Sequence, residues 1–481
     1  MSADVALYLI VFVPTLGAFL LGLVGLVSVR LRNYLALLFV LTSFILSVAI
    51  APAVLSGRIV TITKQLPMGF DFVLRADGLA VFMAIVSSLI SSIIVLYSIG
   101  YISHYKNQNE YYLMVVLFLG AMMGLVFAGN LILLYVFWEI TAIASWRLIG
   151  YFREKQHVIR ADKAFLVTVF GALAMLLGFI TIYQQTGSFD LAVIKQTLGG
   201  VPVSSLAVIL ILAGILSKSA TLPFHTWLPD AGVAPSPVTA LLHAAVLVKI
   251  GVYVFARLFV VNMALSPGWH TAVMIIAAAS ALVSAGAALL ETDLKRLIAF
   301  STVSQIGFIF LGFAVNNEVG VAGALLYILM HGIAKGGLFL CAGIVEQNTH
   351  TKDITKMGGL IKTMPVTAIA FLFCALSVMG IPPFGGFFSK YLVISGAFAS
   401  GNTWIALVFL FGACLTILYL LRAFNMVFMG KPGESMAKEG SPVMVACVAL
   451  LGAMSLASGI FITLSSPSAQ AAARQMLGIL L

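Results

Sequence analysis

Four lysines and one glutamate lie inside long apolar stretches of the sequence, where an ionisable side chain is costly. They are Glu139, Lys218, Lys249, Lys335 and Lys390. A charged side chain at the centre of a bilayer costs about 3 kcal/mol on insertion scales. Five such groups are difficult to accommodate without a use, and side chains that gain and lose protons can pass charge along a row. The chemistry that these residues predict is proton transfer through a membrane.

Two histidines accompany these lysines. His331 and Lys335 are four residues apart, so a helix places them on one face, one turn apart. His243 and Lys249 are six residues apart, within two turns but on different sides of a helix. Glu139 is the anionic neighbour that would keep a lysine protonated if the two paired, and Lys218 is the partner we expect.

Structural roles are the alternatives to proton transfer at single positions. One buried pair such as Glu139 with Lys218 can be a structural staple, and His243 alone can be a packing residue. A structural role for all four lysines together is much less favourable, because each would need its own compensation in hydrocarbon.

The composition predicts what holds these side chains. The chain has 481 residues, of which 62% are hydrophobic and 9% charged, and its mean hydropathy is +1.13. Soluble proteins carry about 25% charged residues. Apolar stretches of about 20 residues, enough to span a bilayer, recur along the chain. The fold class that we predict is an all-α polytopic membrane protein with about fourteen transmembrane helices. The predicted spans are 5–28, 33–55, 79–101, 111–128, 130–150, 163–184, 205–227, 237–258, 269–290, 297–314, 319–345, 366–398, 404–428 and 442–464.

Two of these spans contain helix-breaking residues beside a lysine. Pro223 follows Lys218 by five residues, and Pro382 and Pro383 precede Lys390. Proline lacks an N–H group and disfavours helix in the residue before it, so the seventh and twelfth helices are predicted to be broken. Gly332, Gly336 and Gly337 make the eleventh helix a further candidate for local unwinding.

Paired broken helices in two halves of a chain are typical of transport proteins built from repeats. The two breaks are five helices apart, an odd number, so five-helix repeats would be inverted in the membrane. The predicted organisation is helices 1–3 in residues 1–110, a first inverted repeat in 111–260, a second in 265–430, and a last helix with a tail in 440–481.

The basic residues predict the orientation. Fourteen Lys and Arg residues lie in one set of loops and five in the other, with Arg257 counted among the five. The positive-inside rule places the first set in the cytoplasm and both termini on the outer face of a prokaryotic inner membrane. The net charge of +10 is then loop charge, which argues against nucleic-acid binding. Arg147, near the cytoplasmic edge, is expected to snorkel, and residues 56–78 have room for a short hairpin.

No motif for an energy source is visible in the chain. Cys341, Cys374, Cys414 and Cys447 have no metal-like spacing, and neither a Walker loop nor a dinucleotide fingerprint is present. We therefore expect no cofactor, no metal site and no catalytic redox residue in this chain. Energy must then come from partner subunits or from a counter-ion gradient.

Several longer motifs carry a family resemblance. They are RADGLA at 75–80, YSIGY at 97–101, FWEIT at 137–141, the block from Lys218 to Tyr253, ETDLKRLIAFSTVSQIGF at 291–308, HGIAKGGLFL at 331–340, DITKMGGL at 353–360 and GIPPFGGFFSK at 380–390. The chain resembles the antiporter-like membrane subunits of respiratory complex I, Mrp-type cation/proton antiporters and membrane-bound nickel–iron hydrogenases. The resemblance covers most of the chain.

The resemblance implies roles for individual residues. Glu139 matches the family's fifth-helix glutamate, Lys218 its seventh-helix lysine and Lys249 its eighth-helix lysine. His243 matches a nearby histidine, His331 with Lys335 the eleventh-helix pair, Lys390 the twelfth-helix site, and Pro223 and Pro382 the helix breaks. Asp293, Lys295 and Arg296 match a loop signature that we expect to be architectural. The family fold has fourteen helices with two inverted five-helix repeats.

Three features depart from the family pattern. Tyr327 stands where some members have a second histidine, which places a relay through that position in doubt, and Arg147 stands where many have an uncharged residue. The tail after the fourteenth helix is short, which favours the branches without a long lateral helix.

The leading hypothesis is a proton-translocating subunit of a redox-driven complex, hydrogenase-like or complex I-like. Its partners would be other membrane subunits, the lipid bilayer and a peripheral arm with Fe–S clusters. A D-type subunit of an Mrp Na⁺/H⁺ antiporter, without redox chemistry, is the first alternative, and an inactive scaffold subunit is the second. The expected route enters from the cytoplasm at Lys218, passes Lys249 and Lys335, and leaves at Lys390, with Na⁺ as a second cargo left open.

Overall fold

A computed structural model describes residues 2–65, 71–431 and 438–479. Within these ranges, twelve helices are long and apolar enough to cross a membrane, and two further apolar helices, Ser205–Lys218 and Pro365–Met379, are shorter. The protein is therefore a multi-pass membrane protein. The count of fourteen spans and the inverted repeats stay predictions.

The first part of the described chain contains six long helices and a strand pair. These elements are α1 Ala3–Val27, α2 Val29–Leu55, β1 Val60–Gln65, β2 Asp71–Ala76, α3 Gly78–Tyr101, α4 Gln108–Phe127, α5 Leu131–Ile149 and α6 Lys155–Thr186. Side chains cap several helix starts: Asp77 accepts from Ala80 N at α3, and Asn130 accepts from Leu133 N at α5. Such caps satisfy backbone donors that a helix leaves unpaired. The boundary between the predicted spans 111–128 and 130–150 lies at residues 128–130.

The remaining helices are α7 Leu191–Leu198, α8 Ser205–Lys218, α9 Trp227–Asp230, α10 Ser236–Ala240, α11 Leu247–Phe255, α12 Pro267–Leu290, α13 Leu294–Ala314, α14 Glu318–Thr349, α15 Pro365–Met379, α16 Gly385–Ala399, α17 Thr403–Phe428, α18 Pro442–Ile460 and α19 Ile462–Leu477. Four of them begin with proline in the first turn. Proline is favoured there because its missing N–H would be unpaired in any case.

The strand pair is the hairpin that the polar stretch 56–78 has room for. β1 and β2 are antiparallel, in register from Val60 opposite Ala76 to Gln65 opposite Asp71. Its connecting residues, 66–70, lie outside the described residues. The hairpin also binds the start of α5, since Gly129 N donates to Val73 O at 2.8 Å.

Both predicted helix breaks are visible. The predicted seventh helix ends at Lys218 rather than at 227, and Thr221 N closes the turn on Leu216 O. The predicted twelfth helix is divided between α15 and α16 by residues 380–384. The two lysines differ in position, because Lys218 ends the helix before its break and Lys390 lies in the helix after its break.

The glycines of the predicted eleventh helix do not mark a stretch of irregular backbone. α14 is one continuous helix of 32 residues through Gly332, Gly336 and Gly337, so the prediction of local unwinding there is wrong. Gly337 serves close packing instead, since an added Cβ there would overlap Cys374 Sγ. π-helical turns lie instead at Leu241–Ala245 and Ala256–Asn262, on either side of α11.

α14 is the central helix of the described structure. It packs against α3, α10, α13, α15, α16, α18 and α19. Its residues from Gly320 to Ile328 and from Met330 to Val345 are buried. Polar side chains on α14 are therefore enclosed by protein, and His331 and Lys335 are two of them.

Candidate charge-transfer site

The four predicted lysines are all deeply buried. Lys218, Lys249 and Lys335 have no exposed surface, and Lys390 is 4% exposed. They lie on four elements, α8, α11, α14 and α16, so tertiary packing is required to bring them into one interior. Ionisable residues that face the interior of a helical membrane protein mark proton or ion pathways.

Lys218 contacts α5 but makes no ion pair with Glu139 in the described structure. Its Nζ donates to the carbonyl oxygen of Trp138 at 3.2 Å and lies 5.1 Å from the Trp138 ring centroid. Glu139 is only half-buried, and no cation lies within 4.0 Å of its carboxylate among the described residues. The expected direct pair is thus absent, because Glu139 lies on a face of α5 that also carries exposed Val136 and Ile143.

Lys249 lies against the central helix. A Cβ at Gly332 of α14 would be 2.5 Å from Lys249 Nζ, so the glycine leaves the space that the ammonium group uses. His243 occupies the π-helical turn before α11, and its ring centroid is 4.5 Å from that of Phe339. The π turn changes the angular offset between His243 and Lys249 from the one a regular helix would give.

Lys335 is the best-bonded lysine of the four. Its Nζ donates to Ser301 Oγ at 2.6 Å and to Ile298 O at 3.1 Å, both on α13. His331, one turn earlier, lies within electrostatic range of Lys249, Lys335 and Lys390. Both residues of the pair lie in the interior, on the part of α14 that is buried on nearly all sides.

Lys390 is surrounded by aromatic rings. Its Nζ lies 4.5 Å from the ring centroid of Phe308 and 5.8 Å from that of Tyr327. Cations are attracted to aromatic faces. The Tyr327 ring also meets His331 edge-on, at 6.0 Å between centroids. The Tyr327 ring is therefore close to both His331 and Lys390.

Several buried polar atoms of this interior have no hydrogen-bond partner among the described residues. They are Glu139 Oε1, both ring nitrogens of His243 and of His331, Lys249 Nζ and Lys390 Nζ. Buried polar groups are nearly always satisfied by protein or by ordered water. These side chains therefore have the chemistry to hold ordered water between them.

The sequence reasoning missed a second polar group, Ser301, Gln305 and Tyr419. Tyr419 OH is 2.8 Å from Ser301 Oγ and 3.2 Å from Gln305 Nε2, and Tyr327 OH donates to Gln305 Oε1 at 2.5 Å. Ser301 and Gln305 are four residues apart in STVSQIGF, a spacing that could have identified one polar helix face. Tyr419 on α17 carried no such signal.

The residues expected to be architectural form ion pairs near helix ends. Lys295 Nζ lies 3.0 Å from Glu346 Oε2, and Arg296 bonds both Asp230 and Glu291. Arg147, which is expected to snorkel, also forms an ion pair, because its Nε donates to Glu110 Oε1 at 2.9 Å.

Arg257 is not a free loop charge either. It is buried in the π-helical turn after α11, where it forms a two-pronged ion pair with Asp77. Its guanidinium therefore contributes to packing between elements, and it does not belong in the count of exposed loop charges.

Comparison with known proteins identifies relatives by sequence. The family model described as "NADH:quinone oxidoreductase/Mrp antiporter, TM" matches residues 128–416, and one described as "NADH-Ubiquinone oxidoreductase (complex I), chain 5 N-terminus" matches residues 65–112. The chain is 36% identical over 429 residues to the A-type Na(+)/H(+) antiporter subunit of Alkalihalophilus pseudofirmus, covering 82% of this chain and 53% of that protein. It is 35% identical over 451 residues to the A1-type Na(+)/H(+) antiporter subunit of Staphylococcus aureus, covering 87% and 56%. The chain thus spans about half the length of the curated relatives it matches.

Three solved structures share the fold. An Mrp complex from Dietzia contains a chain with a TM-score of 0.90 and 24% identity, covering 99% of this chain and 98% of that one. An archaeal membrane-bound sulfane sulfur reductase gives 0.89 and 23%, with 99% and 98% covered. Respiratory complex I from Thermus thermophilus gives 0.85 and 23%, with 99% and 100% covered. Because the family model and both relatives cover most of this chain, it belongs to the family of antiporter-like membrane subunits that NADH:quinone oxidoreductases and Mrp antiporters share.

Proposed function

We propose that the chain conducts protons through the membrane as one subunit of a multi-subunit, Mrp-like Na⁺/H⁺ antiporter complex. The observation that carries the proposal is the set of four buried lysines on four different helices, two of which have no partner for Nζ among the described residues. An uncompensated ammonium group in a protein interior is costly, so a lysine there is stable when it can lose its proton. A lysine that exchanges its proton is a carrier.

The proposed route follows the order of the predicted sites. A proton enters from the cytoplasmic side at Lys218, passes Lys249 near His243, reaches Lys335 with His331, and leaves outward from Lys390. Lys249 beside Gly332 and Lys335 beside Ser301 support the middle of this route, because both ammonium groups meet the α13–α14 region.

Glu139 is proposed to receive the coupling signal. Its carboxylate is half-buried on a face of α5 that also exposes Val136 and Ile143. Exposed apolar side chains are ordinary against lipid, but an acidic group among them is better placed against a neighbouring subunit. The family's solved complexes contain several membrane subunits, which supports such a neighbour.

Antiport without redox chemistry is favoured over a redox-driven complex by the relatives that match at 35–36% identity, since both are named as parts of antiporters. They are of the A type, so we replace the expected D-type assignment with an A-like one. The likeness to the sulfane sulfur reductase and complex I is below 25% identity and concerns the fold alone. The setting that we propose is a prokaryotic inner membrane with both termini on its outer face.

Alanine substitution of Lys218 or Lys390 in the assembled complex tests the proton route. We expect each variant to lose Na⁺-driven proton movement in proteoliposomes, measured with a pH-sensitive dye. Exposed Lys362 is the control, because Lys362→Ala removes the same charge outside the interior. Assembly is checked by co-purification of the other subunits. Normal proton movement by both variants in intact complexes would refute the proposal.

Metal and flavin analysis of the purified complex separates the two energy sources. An antiporter complex is expected to contain no Ni, Fe–S cluster or flavin, and to acidify vesicles in response to a Na⁺ gradient alone. Stoichiometric Fe–S clusters in the complex would restore the redox-driven alternative. Intact assembly together with absent proton and Na⁺ movement in the unmodified complex would favour the scaffold role.

A further inference from the structure

A continuous line of hydrogen bonds runs from Lys335 to Tyr327, whose ring lies near Lys390. It begins at Lys335 Nζ, which is 2.6 Å from Ser301 Oγ, and continues to Tyr419 OH at 2.8 Å. We call Ser301, Tyr419, Gln305 and Tyr327 the polar chain. Its members are fully buried and come from three helices, α13, α14 and α17.

The second half of the polar chain ends beside the next lysine. Tyr419 OH accepts from Gln305 Nε2 at 3.2 Å, and Gln305 Oε1 accepts from Tyr327 OH at 2.5 Å. The ring of Tyr327 then lies 5.8 Å from Lys390 Nζ. Lys390 Nζ itself has no hydrogen-bond partner among the described residues. The polar chain thus begins at a hydrogen bond to Lys335 and ends near Lys390.

The chemistry of its members gives the polar chain a direction. A hydroxyl donates one hydrogen bond and accepts others, while an amide donates from nitrogen and accepts on oxygen. Gln305 is therefore a donor toward Tyr419 and an acceptor toward Tyr327. Tyr419 can then donate to Ser301, and Ser301 can donate to a neutral Lys335, whose nitrogen has a lone pair.

A charged Lys335 requires the opposite direction, because an ammonium group has no lone pair. Ser301 then accepts from Lys335 and donates to Tyr419, and Tyr419 donates to the Gln305 amide turned by half a rotation. Gln305 nitrogen now donates to Tyr327. Within the four residues of the polar chain only hydroxyl and amide rotations are needed, so none of their own bonds to hydrogen breaks; the proton that Lys335 gains arrives by the proposed proton route.

We propose that the polar chain is a positioning device that makes the charges of Lys335 and Lys390 alternate. With neutral Lys335, the Tyr327 O–H is held by Gln305 Oε1, so the lone pairs of the Tyr327 oxygen stay free and favour a charged Lys390 through space, without a direct hydrogen bond. With charged Lys335, Tyr327 is occupied as an acceptor and its O–H is free to donate, which favours a neutral Lys390. One proton on the pair is then preferred over none or two.

Other ionisable groups surround the two lysines and act in the same direction. His331 is on the same helix as Lys335, His243 in the π turn lies within electrostatic range of Lys335, and Lys249 on α11 lies within electrostatic range of His331. Lys335 and Lys390 also repel each other directly. These groups disfavour double protonation, but none of them stabilises a single proton on Lys390 when Lys335 is neutral, and the polar chain does.

This inference rests on the proposed proton route, and its test uses different residues. Tyr419→Phe, Ser301→Ala and Gln305→Leu each remove one link of the polar chain in the assembled complex. We expect proton movement to fall about tenfold or more in each, the scale of one lost hydrogen bond to an ionised group. Ser301→Thr keeps the hydroxyl and is expected to retain proton movement.

Matched controls come from α3, which also packs on α14. Tyr97→Phe removes a buried tyrosine hydroxyl that donates to Leu340 O, and Ser92→Ala removes a buried hydroxyl that donates to Ser88 O. Both are expected to assemble and to conduct normally. Tyr97→Phe is compared with Tyr419→Phe, and Ser92→Ala with Ser301→Ala. Any extra loss of proton movement in the polar-chain variant is then not a general effect of removing a buried hydroxyl.

A double substitution at the two ends of the polar chain tests coupling. If the chain acts as a unit, Ser301→Ala with Tyr327→Phe reduces proton movement no further than the more damaging single change. The pH dependence of transport should also broaden, because the two lysines then titrate with less mutual dependence. Multiplicative losses with an unchanged pH profile, or chain variants that match their controls, would overturn this inference. The proton route would still stand if Lys218→Ala and Lys390→Ala abolish transport.

Discussion

At the scale of single residues, the interior depends on where side chains are missing as much as on where charges lie. Gly332 leaves the space that Lys249 Nζ occupies, and the same helix carries His331 directly before it. A helical glycine costs about 0.5–1 kcal/mol relative to alanine. We infer that glycine at position 332 offsets this cost because it allows Lys249 to approach α14 closely.

Gly332→Ala is expected to displace the Lys249 ammonium group and to reduce proton movement, even though alanine favours the helix. Its control is Gly336→Ala, one turn later on α14, where the nearest atom to an added Cβ is Ile90 Cγ2 at 3.5 Å, an ordinary contact. The measurement is proton movement in proteoliposomes together with the melting temperature of each complex. Equal transport by both variants would contradict a role for the space at Gly332.

At the scale of elements, the broken helices hold their shape through close backbone contact. A Cβ at Gly386, in the first turn of α16, would overlap the carbonyl oxygen of Ser377 on α15. The backbones on the two sides of the break are thus in contact, and this contact is part of what positions Lys390 one turn later.

Gly386→Ala is expected to destabilise the protein by about 1–3 kcal/mol, the range for forcing extra atoms into a packed interior. The clash is with backbone, which cannot rotate away. Gly286→Ala on α12 is the control, because no atom lies within 4 Å of its added Cβ. Thermal unfolding in detergent measures the difference, and identical melting temperatures for the two variants would show that the break tolerates a side chain.

Another element-scale contact joins the loop after the first break to two long helices. Asp230 at the end of α9 bonds Lys163 Nζ at 2.7 Å on α6 and Arg296 Nη1 at 2.6 Å on α13. Burial alone raises the pKa of Asp230, but the hydrogen bonds and charges of Lys163 and Arg296 outweigh it and hold this pKa below its ordinary value. The carboxylate therefore stabilises the fold when ionised.

The sign of the pH effect follows from the lowered pKa. The stabilising contribution of Asp230 is complete above the ordinary carboxyl pKa, about 4, and is lost as pH falls from there through the lowered folded value. Asp230→Asn should lower the melting temperature at pH 7 by an amount worth about 1 kcal/mol or less, since the pairs are partly exposed. The gap between variant and parent should narrow below about pH 4. A gap that stays constant down to about pH 3, well below the ordinary carboxyl pKa, would contradict this role.

At the scale of the whole molecule, one buried ion pair joins distant parts of the chain. Arg257, in the π-helical turn after α11, bonds both carboxylate oxygens of Asp77, which caps α3. Arg257 Nε also donates to Tyr253 OH at 2.9 Å. The pair thus connects the predicted N-terminal unit to the predicted first repeat.

Removing Arg257 alone should lower the free energy of unfolding more than removing both Arg257 and Asp77. Arg257→Leu leaves the buried Asp77 carboxylate with Arg75 Nε, 3.9 Å away, as its remaining cation among the described residues, so the expected loss of unfolding free energy is about 3 kcal/mol, the lower end for a broken buried pair. Asp77→Asn combined with Arg257→Leu is expected to be closer in stability to the parent protein, because the one charge that loses its partner, Arg75, is partly exposed. Chemical or thermal unfolding in detergent checks the order, and a double variant less stable than Arg257→Leu alone would refute it.

Much of the whole-molecule plan follows from local patterns in the sequence. Apolar length predicted the long helices, because a span of hydrocarbon requires about 20 apolar residues whatever the fold. Proline beside Lys218 and Lys390 predicted the breaks, since proline acts on its own backbone. The ionisable residues of the interior were identified in the same way, because a charge in an apolar stretch is unusual wherever the helix packs.

The tertiary structure decided which of those groups meet. Glu139 and Lys218 do not form the expected pair, because the orientation of α5 places the Trp138 carbonyl, and not the Glu139 carboxylate, at Lys218 Nζ. The polar chain also depends on α17, whose Tyr419 is 118 residues from Ser301 in sequence. A sequence determines which side chains each helix carries on each of its faces, since composition and spacing act locally. Contacts between helices depend on their rotation and tilt, which are set by packing over the whole molecule.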